Sequence, residues 1–321
     1  QAGRQFHGAV LAEGTPRQQP ETPLVLPRGP SGSSSRTMNR QHTIAKEASL
    51  SGVGVHSGKP ARLTIRPAAE GAGVCFVRSD VTDRDAMIPA LVKKVTTTEL
   101  GTNMSNEAGV SVATVEHFLA ACSGLGVDNV IAELDGPELP ILDGSSKPFV
   151  EMLMQAGLKE QGAARRTLKI LKPVEVRHGE KFARLSPGNG FEMRVIIDFK
   201  TKAIGRQEIR FAMTPGAFAR DVAWARTFGF LHQAEQLHAM GKGLGASMDN
   251  TVVIDGDAVL NPGGTQTDDE FVRHKLLDVI GDLFLAGGQI DGLYEAEQPG
   301  HALNNQLLRA VFADTTSFAW T

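Results

Sequence analysis

The stretch FVRHKLLDVIGDL, residues 271 to 283, sets His274, Asp278 and Asp282 four residues apart in an otherwise apolar, helix-forming run. Steps of four on an α-helix advance the azimuth by only about 40°, so the three side chains form one stripe. An imidazole and a carboxylate at that spacing can close on one small cation. A lone H-x-x-x-D more often marks a helix edge turned to water. Here Phe271, Leu276, Leu277, Val279, Ile280, Leu283 and Phe284 leave the helix little face to give to solvent. A catalytic metal commonly takes three protein ligands and keeps one position open, so a third donor must come from elsewhere. Of the remaining histidines, His117 in ATVEHFLAACSGLG is the best placed, at a change from strand to helix, whereas His178, His232 and His238 read as exposed. Glu116, just before His117, would stand beside an attacking water as a proton acceptor. Taken alone, TVEH reads more readily as a solvated helix start with an acid complementing the dipole. His301 opens PGHALNN after a Pro-Gly turn, where a histidine is more often structural. Asp282 gives it a partner that could orient the ring and hold it protonated as a general acid.

The elements that must position these groups follow from hydrophobic period. Strands are expected around TIAKEASLSGVGVHSG, ARLTIRPA, VCFVRSD and IPALVKKV. A short strand at GVSVAT leads to a helix from 116 to 123, then NVIAELDG as a strand and KPFVEMLMQAGL as a helix. From about 166 the order resembles itself, with strands at TLKILKPVEVRHGEKFARLSP and FEMRVIIDFK and a helix at GAFARDVAWARTF. A strand pair at NTVVIDGDAVL, the longest helix at EFVRHKLLDVIGDLFLAG, a strand at QIDGLYEAEQPG and a helix at HALNNQLLRAVFA complete it. Strands precede helices in both halves without strict alternation, which predicts an α+β layered fold with an internal duplication. The expected units are 38–162 and 163–321, the second carrying the HKxxD helix. Residues 1–37, rich in Pro, Gly, Ser, Gln and Arg, read as a disordered extension, with Met38 standing where the folded protein would begin.

Composition narrows the classes of function. A net charge of −3 over 321 residues, with a pI near 6.3, gives no electrostatic case for a nucleic-acid partner. Two cysteines in unrelated contexts, Cys75 and Cys122, suggest neither a disulfide framework nor a cysteine metal site. With no transmembrane run of 18 apolar residues and no secretory pattern, the expected location is cytoplasmic. GVGVHSG is followed by another strand-like segment, so it is no dinucleotide fingerprint. DGDAVLNPGGTQTDDE lacks the third acid and central glycine of a calcium loop.

TVEHFLAACSGLGVDNV, ELPILDGSSKPFV, WARTFGFL, DNTVVIDGDAVLNP, DEFVRHKLLDVIGDLFLAG and GHALNNQLL, in this order, closely resemble the zinc-dependent UDP-3-O-acyl-N-acetylglucosamine deacetylases of bacterial lipid A synthesis. The likeness spans about Arg40 to Phe312. It implies two similar α+β domains, each a sheet with a helix pair, the helices sandwiched between the two sheets. It implies zinc held by His117, His274 and Asp278, with Glu116 as general base. His301 would protonate the leaving amine, Asp282 would orient it, and Thr227 would help stabilise the oxyanion. Lys275, Lys181, Phe199 and Phe228 match positions that contact substrate, Phe199 by stacking on uracil. The implied substrate is an acylated UDP-N-acetylglucosamine, turned over by a monomer. The segment 231 to 247, which in the family lines the acyl passage, is rich in Gly, Ala and His here. The family often reads IDFxHP where this chain has IDFKTK at 197 to 202.

Overall fold

The computed structural model describes residues Arg40 to Thr321. The expected extension at 1–37 lies outside the described residues. A five-stranded sheet is built from the first half of the chain, in the order Ala48–Val53, Pro60–Pro67, Val130–Leu134, Val74–Arg78, Met87–Pro89. A seven-stranded sheet is built from the second half around its longest strand, Gln289–Glu297. Each sheet contains a parallel pair joined by a long crossover, Val74–Arg78 with Val130–Leu134 and Phe191–Asp198 with Gln289–Glu297. A parallel pair needs a crossover, usually helical, and both halves meet that need in the same way. The first crossover carries helix α1 (Glu116–Leu125), and helix α2 (Lys147–Ala156) follows its return strand. The second carries α3 (Ala217–Asp221), α4 (Ala234–Ala239) and α5 (Glu270–Phe284), and α6 (His301–Ala313) follows. The same strand–helix–strand–helix order recurs, so α1 corresponds to α5 and α2 to α6.

Helices α1, α2, α5 and α6 form the layer between the two sheets. Of these, α1 and α5 pack on each other, α2 faces the first sheet and α6 the second. One apolar cluster runs through both halves and includes Phe118, Phe149, Leu276, Leu277, Ile280 and Leu307. Helix α5 is buried along nearly its whole length, with only Arg273 and Lys275 partly exposed, as its all-round apolar sequence requires. At Gly281 the helices approach so closely that a Cβ would stand 2.0 Å from the carbonyl oxygen of Glu116. Glycine there is what lets the start of α1 reach the face of α5.

Several local expectations change. The helix expected over GAFARDVAWARTF survives only at Ala217–Asp221. Tertiary contacts claim the rest: the Ala225 carbonyl lies 3.1 Å from His274 Nδ1, and Arg226 makes a two-pronged ion pair with the fully buried Glu270. The end of MLMQAGL leaves the helix at Ala156 and starts a strand, Leu158–Ala164, that pairs with Arg40–Ile44. Among the described residues no helix is long and apolar enough to cross a membrane.

Candidate active site

The stripe on α5 faces inward. His274, Asp278 and Asp282 are 2%, 3% and 3% exposed, which rules out a water-facing helix edge. The start of α1 is turned toward them, and His117 Nε2 lies 3.7 Å from Asp278 Oδ1 while His274 Nε2 lies 3.4 Å from the same oxygen. His117, His274 and Asp278 thus offer three donor atoms within 4.8 Å of one another. Their protonation suits a cation. Burial, reinforced by the neighbouring His274, pushes His117 down to about 3, and burial lowers His274 as well. Burial disfavours a charge on Asp278, yet Lys275 and the surrounding imidazoles outweigh it and hold the carboxyl well below its usual range. His274 Nδ1 faces the Ala225 carbonyl, which fixes the tautomer that leaves Nε2 bare. Lys275 Nζ donates to Asp278 Oδ2 at 2.8 Å, leaving Oδ1 buried with no hydrogen-bond partner. Bare acceptors converging on one point with no donor between them fit a divalent cation and little else. His117 Nδ1 is also without a partner.

A second constellation adjoins the first. Burial raises the Glu116 carboxyl to about 7, partly opposed by His301. His301 Nε2 stands 3.9 Å from Glu116 Oε1, and its Nδ1 lies 2.9 Å from Asp282 Oδ2. Burial alone would lower His301, but Asp282 overrides it and lifts the imidazole to about 10. Asp282 is itself held by other groups: Thr102 Oγ1 donates to Oδ1 at 2.6 Å and Asn304 Nδ2 to Oδ2 at 2.9 Å. Tyr294, fully buried, donates its hydroxyl to Asn304 Oδ1. Sequence reasoning missed Thr102, Asn304 and Tyr294, for they share no period with the residues they serve. A carboxylate that can accept a proton and an imidazolium that can give one therefore face each other beside the three-ligand cluster.

Glu116, His117, Thr227 and Phe228 line a cavity of about 190 Å³, more than ten times the roughly 10–15 Å³ that one water needs. Its far wall is largely apolar and includes Val55, Ile141, Phe230, Leu237 and Val253. Ala234, Gly243 and Ala246 of the 231–247 segment line it too, with His238, which is half-buried rather than exposed. His56, given no role by its sequence context, also lines it. Lys275 Nζ sits 5.4 Å over the Phe228 ring, and Phe199 packs against Phe228 with centroids 5.8 Å apart. Lys181 stands apart from this cavity, exposed at the start of the strand Lys181–Ser186. The IDFKTK turn is tied down through Thr201 Oγ1 to the Gly256 carbonyl and through Lys202 N to Asp257 Oδ1.

Comparison with known proteins identifies the family. The family model described as UDP-3-O-acyl N-acetylglycosamine deacetylase matches residues 41–313. A UDP-3-O-acyl-N-acetylglucosamine deacetylase of Phenylobacterium zucineum is 51% identical over 273 residues, covering 85% of this chain and 93% of the relative. Proteins of the same name from Shewanella frigidimarina and Vibrio vulnificus are 46% and 45% identical, over 85% and 88% of this chain and 90% and 93% of their own lengths. The match over nearly the whole described chain leads to one conclusion: this chain belongs to the UDP-3-O-acyl N-acetylglycosamine deacetylase family.

Proposed function

We propose that this protein hydrolyses the N-acetyl group of a UDP-3-O-acyl-N-acetylglucosamine, giving the free amine and acetate, the committed step of lipid A synthesis, in the cytoplasm. The observation that carries the reading is the orphaned Asp278 Oδ1 facing two bare imidazole nitrogens, with a carboxylate–imidazole pair alongside. His117, His274 and Asp278 would hold zinc, the metal that suits two imidazoles and a carboxylate with a position left open. When bound, zinc supplies Lewis acidity, making water easier to deprotonate and an amide carbonyl easier to attack.

The remaining work falls to side chains. Glu116 Oε1 takes a proton from the attacking water as its oxygen bonds to the acetyl carbon. His301 gives its Nε2 proton to the departing glucosamine nitrogen as the C–N bond breaks, and Asp282 stabilises the imidazolium beforehand. Thr227, whose backbone N–H bonds the Gly144 carbonyl at the cavity wall, would donate its hydroxyl to the developing oxyanion. The apolar wall suits an acyl chain, and Phe199, Phe228, Lys275 and Lys181 would meet the sugar and nucleotide. Mass spectrometry of the acylated UDP-sugar tests the reading. It predicts a product lighter by one acetyl group, lost on chelation and restored by zinc; an intact substrate with zinc-loaded protein would contradict it.

A further inference from the structure

We propose that Thr102 is a positioning residue that fixes Glu116 relative to the Asp282–His301 pair, and so sets the gap between the group that takes a proton and the group that gives one. The chemistry of that gap rests on the deacetylase reading; the placement does not. Thr102 is 2% exposed, and all three of its polar groups are hydrogen-bonded, two of them to groups of the site. Its N–H donates to Glu116 Oε2 at 3.0 Å, its hydroxyl donates to Asp282 Oδ1 at 2.6 Å, and its carbonyl accepts from Val115 N, one residue before Glu116. One residue of the first half therefore holds the carboxylate on α1 and the carboxylate on α5.

The turn that presents Thr102 is built for that reach. Leu100 adopts φ +61°, a left-handed conformation uncommon outside glycine. The Leu100 carbonyl lies 3.1 Å from His56 Nε2, which pins the turn from the opposite side. A Cβ at Gly101 would come within 3.0 Å of Glu116 Oε1, so the backbone is pressed directly against that carboxylate. Among the described residues the hydroxyl of Thr102 is the one donor on Asp282 Oδ1, whereas Oδ2 serves both His301 and Asn304. Removing the hydroxyl frees one side of Asp282 to rotate, and His301 Nδ1 follows it. Thr102 acts through these partners and does not itself touch the reacting atoms.

Thr102→Val keeps volume and the N–H to Glu116 but deletes the hydroxyl. Its kcat should fall about 10- to 100-fold, the scale of one hydrogen bond to a charged group, with KM changed by less than about twofold. Thr102→Ser should recover most of the lost kcat, and Thr102→Ala provides a second hydroxyl deletion should valine crowd the site. Zinc content should match wild type in all three. Combined with Asp282→Asn, the Thr102→Val loss should largely disappear, because both changes act on one contact. A readout free of turnover comes from imidazole nitrogen spectra of the metal-free protein, where the His301 Nδ1 resonance should move in Thr102→Val and return in Thr102→Ser. Wild-type kcat in both hydroxyl deletions, losses that multiply with Asp282→Asn, or an unmoved His301 resonance would each overturn the proposal. A wild-type protein that releases no acetate would instead sink the deacetylase reading, and the resonance would still decide the role of Thr102.

Discussion

Glu116 and His301 illustrate how two groups 3.9 Å apart come to opposite protonation states. Burial lifts the carboxyl to about 7 and Asp282 lifts the imidazole to about 10, so between those values Glu116 is ionised and His301 protonated. The rate should therefore rise as pH climbs through the first value and fall through the second, giving a bell. A bound cation favours the deprotonated form of both groups, so the bell of the metal-loaded enzyme should sit lower than that window. Glu116→Gln should keep the metal and lose rate by a factor on the order of 10² or more. Asp282→Asn, by removing the anion that favours imidazolium, should move the alkaline limb to lower pH, and pH–rate profiles at saturating zinc check both. At this scale the sequence was legible where a helical period or a quoted motif carried the residue, as for His274, Asp278, Asp282, His117 and Glu116. Thr102 was not, because its partner Asp282 lies 180 residues away and no local pattern joins them.

Helix α5 was the most legible element: the helix expected over residues 270 to 287 forms over residues 270 to 284. What the pattern did not reveal was which neighbour the stripe would face. That is decided at Gly281, where the carbonyl of Glu116 takes the space a side chain would need. Gly281→Ala should push α1 off α5 and destabilise the fold by about 3 kcal/mol or more, the upper range for an overpacked core. Because Glu116 and His117 ride on α1, zinc affinity and kcat should fall together, as thermal melts and metal titration will read. The helix expected over residues 216 to 228 fails for a related reason. Its backbone is needed elsewhere, at the His274 imidazole and the Arg226–Glu270 pair, and tertiary demand overrides propensity. Helix α4 is only six residues long and was not legible as a separate element.

The whole molecule divides its candidate site between its two halves, with His117 and Glu116 on α1 and His274 and Asp278 on α5. The repeated order of elements was visible in the sequence. The meeting of the two crossover helices was not, because periodicity within each half says nothing of how the halves face. A metal bound across that contact should stabilise the fold as a unit, by about 2.7 kcal/mol at a free zinc concentration 100 times Kd. His117→Ala should abolish most of that metal-dependent rise in Tm while leaving the metal-free Tm close to wild type. The central claim, that the cluster of His117, His274 and Asp278 powers deacetylation, is tested most directly by titrating zinc into chelator-stripped protein while acetate release from the acylated UDP-sugar is followed in the same sample. Release should be absent at the start, climb with added zinc and level off at one equivalent, with no such rise in Asp278→Ala. Full release from the stripped protein, or a rise in Asp278→Ala equal to that of wild type, would contradict the account.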